Sequence, residues 1–172
     1  MVDDLSKLMQ QIVDAINDES WRAADSTIYE YLRQCPNDPD ALMYLGVSKA
    51  AQGYEPEGEQ HLLASLTFNP GNKLAYYHLG VIVLEQGRCI LASEAFRRGL
   101  SIDPDNHSLH YQLGRALERL GNHEEALQAY QRAINTNPAE GITSTDFSVQ
   151  SQDAITRLQD SSRQEEIETC EE

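Results

Sequence analysis

Residues 73–106 read KLAYYHLGVIVLEQGRCILASEAFRRGLSIDPDN, and this stretch decides the fold. Tyr76, Leu79, Gly80 and Val83 fall at three- and four-residue steps, which makes one apolar stripe at the period of a helix. Gly80 in that stripe lets a neighbouring helix approach closely. Gly87 then stands where a helix C-terminus favours a residue that tolerates positive φ. A second stripe follows in Ala92, Ala95, Phe96 and Leu100. Pro104 stops it, because proline cannot continue a helix and disfavours helical geometry at the preceding Asp103. The stretch is therefore read as two antiparallel helices joined by a tight turn.

The same features return on both sides at a spacing of 34 residues: Pro36, Pro70, Pro104 and Pro138; Gly46, Gly80 and Gly114; Gly53, Gly87 and Gly121. Three columns sharing one period define a repeat architecture. The pattern resembles the tetratricopeptide repeat family, in which a large residue, a Leu-Gly pair, an Ala-x3-aromatic step and a closing Pro recur. The residues that carry the resemblance are Leu42, Leu45-Gly46, Leu62 and Pro70; then Tyr76, Leu79-Gly80, Ala92, Phe96 and Pro104; then His110, Leu113-Gly114, Ala126, Tyr130, Ala133 and Pro138. It spans Pro39 to Pro138, and it implies an all-α, right-handed α-solenoid with repeats at 39–72, 73–106 and 107–138.

Residues 1–38 fit the register as a degenerate first pair, with Ala24, Ile28 and Pro36 in their columns but Gln11-Ile12 where Leu-Gly belongs. Terminal repeats depart from the pattern because one face meets solvent. Ser20 is the expected N-cap of the second helix, and Trp21 is expected to cover the end of the stack. Gly58 replaces Ala two residues after Pro56. An interior glycine costs about 1 kcal/mol against alanine, so a close contact with the preceding helix is the reading given to it.

Past Pro138 the period is lost. Residues 139–172 hold nine acidic residues against two basic ones. Phe147, Ala154, Ile155 and Leu158 share a helical face, with Ser144 or Thr145 to cap it, so 139–158 is read as a C-terminal capping helix. Too little apolar surface follows to offset ordering entropy, and 159–172 is expected to be an acidic disordered tail that solubilises the chain.

The formal net charge of −15 and pI near 4.6 argue against nucleic acid and anionic membrane surfaces, both of which reward Lys and Arg at the contact. Cys35, Cys89 and Cys170 form no CxxC pair and leave an odd thiol, which suits a reducing compartment. The N-terminus is acidic where a signal peptide is basic, and no apolar run approaches the roughly 20 residues of a membrane span. The expectation is a cytoplasmic protein with no membrane insertion.

No GxxxxGK[ST], GxGxxG or GxSxG loop is present, and the chain is not read as an enzyme or assigned a cofactor. His107 and His110 stand three apart, but no further ligand completes a metal set, and His110 fills the large-residue column. Cys89 beside Arg88 has no resolving partner nearby.

What remains is binding. The resemblance implies that the first helix of each repeat lines a concave groove, with Asp40, Met43, Tyr44, Val47 and Ala50, then Leu74, Tyr77, His78, Val81 and Leu84, then Ser108, Tyr111, Gln112, Arg115 and Glu118 turned inward. The peptide-binding candidates are Met43, Tyr44, Val47, Leu74, Tyr77, His78, Val81, Leu84, Tyr111, Gln112 and Arg115. Arg115 and Arg119 are placed to meet a carboxylate. Met43, Val47 and His78 stand where relatives that capture acidic chaperone C-termini carry Lys and Asn, so that mode is not expected. The expected function is a scaffold or adaptor holding a polypeptide in an apolar groove. The alternatives are a chaperone like those holding hydrophobic translocators in type III secretion, and an accessory module of a glycosyltransferase or other enzyme.

Overall fold

A computed structural model describes residues 2–136 and 145–170. Pro138, Ser144 and the parts 139–144 and 171–172 of the two C-terminal segments, all used in the sequence reading, lie outside them. Every element among the described residues is helical: α1 (Val2–Asn17), α2 (Trp21–Gln34), α3 (Pro39–Ala51), α4 (Glu55–Phe68), α5 (Lys73–Glu85), α6 (Cys89–Ile102), α7 (His107–Arg119), α8 (His123–Asn135) and α9 (Thr145–Cys170). Successive helices are joined by tight turns as the repeat implies, and α1 with α2, α3 with α4 and α7 with α8 pack as helix-turn-helix pairs.

Two different devices start and stop these helices. The odd-numbered helices α3, α5 and α7 are each opened by an Asp or Asn side chain, and Asp38, Asn72 and Asn106 are themselves 34 apart. Asp38 accepts from the Asp40 and Ala41 amides at 3.1 and 2.9 Å, Asn72 from Leu74 and Ala75 at 3.1 Å, and Asn106 from Leu109 at 3.0 Å. The even-numbered helices α2, α4, α6 and α8 begin without a side-chain cap. Ser20 stands at the N-cap position of α2 as expected, but its side chain caps nothing. What holds these turns is the C-terminal end of the preceding helix. Gly53, Gly87 and Gly121 have φ of 84°, 77° and 78°, and the Tyr54 and Asn122 amides reach back to Lys49 and Leu117 carbonyls at 2.9 Å. In the first pair the Ser20 amide makes the same reach to Ala15 at 2.8 Å, with Glu19 at φ 54° in the glycine column.

The helices form two compact units, Met1–Gln86 and Gly87–Glu172, divided at the turn between α5 and α6. In the first, Ile12, Ala24, Ile28, Tyr31, Ala41 and Leu45 make one core, and Met43, Leu62, Ala75 and Ile82 another. The helices α3 and α4 cross at two glycines. A Cβ on Gly58 would lie 2.7 Å from the Gly46 carbonyl oxygen, and one on Gly46 would lie 2.7 Å from Leu62 Cγ, which is the close contact expected of Gly58. A polar network ties α2 to α3. Asp25 takes Lys49 Nζ at 2.8 Å, Ser48 Oγ at 2.7 Å and Gln52 Nε2 at 3.1 Å. Burial alone would raise the Asp25 carboxyl, but these hydrogen bonds and the Lys49 charge outweigh it and hold it below its usual value. Trp21 opens α2 part-buried, and its carbonyl lies 3.1 Å from Ser48 Oγ.

In the second unit Phe96, Leu109, Ala126, Tyr130 and Ala133 are buried, and the Tyr130 ring seats on Gly114, where a Cβ would come within 2.6 Å of it. The helix α9 packs on α8 and α7 through Ala154, Ile155 and Leu158, and Ser151 is buried with them. The sequence expects order to end near residue 158, whereas α9 stays helical to Cys170. Gln159–Cys170 holds no Gly or Pro, and its Gln, Arg and Glu residues are strong helix formers, so continuing the helix costs little once the packed part exists.

Candidate peptide-binding face

In the first unit α3 and α5 lie side by side. Asn72 Nδ2 donates to Asp40 Oδ1 at 3.2 Å across their N-termini. Among the candidates on these helices, Tyr44, Val47, Tyr77, His78 and Val81 are part-buried and Leu74 is 48% exposed. Met43 and Leu84 are 3% and 0% exposed, so their side chains are committed to the core. The Tyr77 and His78 rings meet edge-on, 5.3 Å apart at 84°. Burial pushes the His78 imidazole down to about 4, so it is neutral at physiological pH. Burial, with the Asp40 charge added, raises the Tyr44 phenol. Along Tyr44, Val47, Tyr77, His78 and Val81 these two helices thus present apolar and aromatic side chains with a neutral imidazole among them, while Asp40, Lys49, Lys73 and Glu85 lie toward the helix ends.

The candidates on α7 in the second unit have another environment. Gln112 is buried and accepts from Arg115 Nη1 at 2.9 Å. The Tyr111 ring stands 5.1 Å from Phe147 of α9 and 5.8 Å from Tyr130. Glu118 receives the Tyr130 hydroxyl and Arg157 Nη2, each at 2.7 Å. Burial, then Glu118, raises the Tyr130 phenol. The cavity of about 600 Å³ here is lined by charge as well as by rings, with Arg115, Glu118, Arg119, Asp153 and Arg157 around Tyr111. Phe147 and Arg157 of α9 were not read as part of any site. Beyond residue 138 no repeat register exists to say which α7 residue each of them meets.

The two histidines weighed as metal ligands have separate partners. His107 faces the Phe147 ring at 5.9 Å, and His110 Nε2 lies 2.7 Å from the Pro104 carbonyl. Among the described residues, no group of three or more His, Cys, Asp or Glu is placed to hold a metal ion, and no helix is long and apolar enough to cross a membrane.

Comparison with known proteins agrees with this geometry. No curated protein sequence matches the chain. Among solved structures, MamA from Desulfovibrio magneticus RS-1 is 20% identical, with 94% of this chain and 97% of that one covered and a TM-score of 0.70. A second MamA, from AMB-1, is 21% identical over 96% of this chain and 87% of that one, with a TM-score of 0.72. An O-GlcNAc transferase mutant from Thermobaculum terrenum aligns with 76% of this chain at 21% identity and a TM-score of 0.69, but only 26% of its own length takes part. At these identities the likeness is one of fold. The family model for the tetratricopeptide repeat matches residues 77–141. Residues 77–141 thus match the tetratricopeptide repeat, in a chain whose described elements are all helical and follow the 34-residue columns.

Proposed function

We propose that the chain is a protein-interaction scaffold that binds a polypeptide segment on α3 and α5 of its first unit, with α7 of the second unit offering contacts of its own. On α3 and α5 the contacts are Tyr44, Val47, Leu74, Tyr77, His78 and Val81. On α7 they are Tyr111 and Arg115, with buried Gln112 holding Arg115 in place. The observation that carries the reading is the run of aromatic and aliphatic side chains Tyr44, Val47, Tyr77 and Val81 beside a neutral His78 on α3 and α5, in a chain of net charge −15. In a strongly charged protein, such a run of apolar and aromatic side chains favours apolar contact there over charge pairing. The cysteine usage supports a cytoplasmic setting.

The test is chemical cross-linking from a photoreactive residue introduced at Val81 in cells, followed by identification of the captured segment. A reproducible apolar or aromatic segment supports the scaffold. A secreted hydrophobic client would make the scaffold a chaperone, and a resident enzyme would make it an accessory module. Labelling confined to solvent or to the chain itself would contradict binding at this face.

A further inference from the structure

Leu42, Tyr76 and His110 share the large-residue column of the repeat. An imidazole is shorter than a phenol, and beside His110 lies a cavity of about 380 Å³. Its apolar wall is Leu100, Leu113, Leu117 and Ala129 from α6, α7 and α8, and the exposed Arg97 and Arg132 also line it. One carboxylate answers these two guanidiniums: Glu125, 2.7 Å from Arg97 Nη2. The lining thus keeps a positive surplus on a chain that is otherwise strongly acidic.

His110 lines the same cavity. It is 5% exposed, and its Nε2 must donate to the Pro104 carbonyl 2.7 Å away, since a carbonyl only accepts. The neutral ring then leaves Nδ1 as an acceptor, and that atom has no hydrogen-bond partner. That acceptor calls for an N–H or O–H donor, which a carboxylate does not supply but an amide N–H next to one does. Burial is the leading cause that lowers this imidazole; the Pro104 carbonyl and the Asp105 charge work against it, and the Arg132 charge works with it.

We propose that this cavity binds a carboxylate carried on a short aliphatic body, with the aliphatic part against Leu100, Leu113, Leu117 and Ala129 and the carboxylate at Arg132 and Arg97. An apolar pocket of this size with a few convergent polar groups is the usual form of a small-ligand site, and guanidinium is the group that best matches a carboxylate. The chemistry is shared by a free aliphatic acid and by the C-terminal residue of a polypeptide. The site is separate from the face on α3 and α5 and does not depend on it.

Isotope-edited NMR titration of the full chain with octanoate, N-acetylleucine and octylamine tests the proposal. Octanoate or N-acetylleucine is expected to shift amides of residues 97–132, with octylamine causing no such shifts. Tighter octanoate binding assigns the free acid, and tighter N-acetylleucine binding the polypeptide end. The Arg132→Gln change, at an exposed position, should retain the fold and weaken carboxylate binding about tenfold. The Ala129→Leu change should fill the cavity and abolish it. Binding of neither acid, equal binding of octylamine, or an unchanged affinity in Arg132→Gln would overturn the proposal.

Discussion

Glu19 and Gly58 each break the repeat pattern, in opposite directions. Glu19 sits at φ 54°, where the three later repeats place glycine. A side chain in the left-handed region costs about 1–2 kcal/mol per residue, and part of any gain from removing it is offset by the greater freedom of glycine in the unfolded chain. Glu19→Gly is therefore expected to stabilise the chain by about 0.5–1 kcal/mol in urea unfolding. A lower midpoint would show that the carboxylate does something the backbone does not reveal. Gly58→Ala tests the reverse case. Helix propensity alone favours alanine by about 1 kcal/mol. The new Cβ, however, would lie 2.7 Å from a backbone oxygen of Gly46 and 3.1 Å from Ala50 Cβ, and backbone cannot rotate aside. Overpacking of this kind costs about 1–3 kcal/mol, so a net loss of stability is expected, and a gain would mean that α3 and α4 separate easily.

At the level of elements, α9 divides into a packed part and a projecting one. Its buried face ends at Leu158, and full burial of Ile155 and Leu158 is worth about 1.5–3 kcal/mol each. A chain ending after Asp160 should unfold at the same urea concentration as the full protein. One ending after Thr136 should lose several kcal/mol and leave Tyr111 without its Phe147 neighbour. Equal stability of the two truncations would show that α9 does not dock. The helix pairs, their turns and the close approach at Gly58 were legible because each follows from a local rule repeated at one period. The cap column Asp38, Asn72 and Asn106 has the same 34-residue spacing, but Asp and Asn also occur widely in loops, so their column is less distinctive than those of Gly and Pro. The candidate face was legible only in part. A residue such as Met43 and one such as Tyr44 are neighbours in sequence and both apolar, and only packing against α4 and α5 decides that the first is core. The extension of α9 to Cys170 was not legible either, since composition reports the lack of a core but not the propagation of a helix already started at Thr145.

For the whole molecule, burial of histidines sets the pH response. His78 is held to about 4 in the folded chain against an ordinary value of 6.5, and His61 and His110 are lowered in the same direction, burial being the leading cause in each. Between those values the unfolded chain binds protons that the folded chain does not, so stability is complete above 6.5 and falls as the pH drops toward 4. Urea midpoints should be lower at pH 5 than at pH 7, and His78→Gln should reduce the difference. An unchanged midpoint would place these rings in water.

The same neutrality makes a prediction about binding, which is the central claim. A peptide selected from a displayed library against the folded chain would be titrated calorimetrically against wild type, Tyr77→Ala and Arg115→Ala at low and high salt. Apolar burial is insensitive to the screening that weakens surface ion pairs, so salt should change the affinity little. Removal of an aromatic anchor should cost about 1–3 kcal/mol, with the fold retained by circular dichroism. Normal binding by Tyr77→Ala, with binding abolished by Arg115→Ala and by salt, would show recognition by charge and contradict the account.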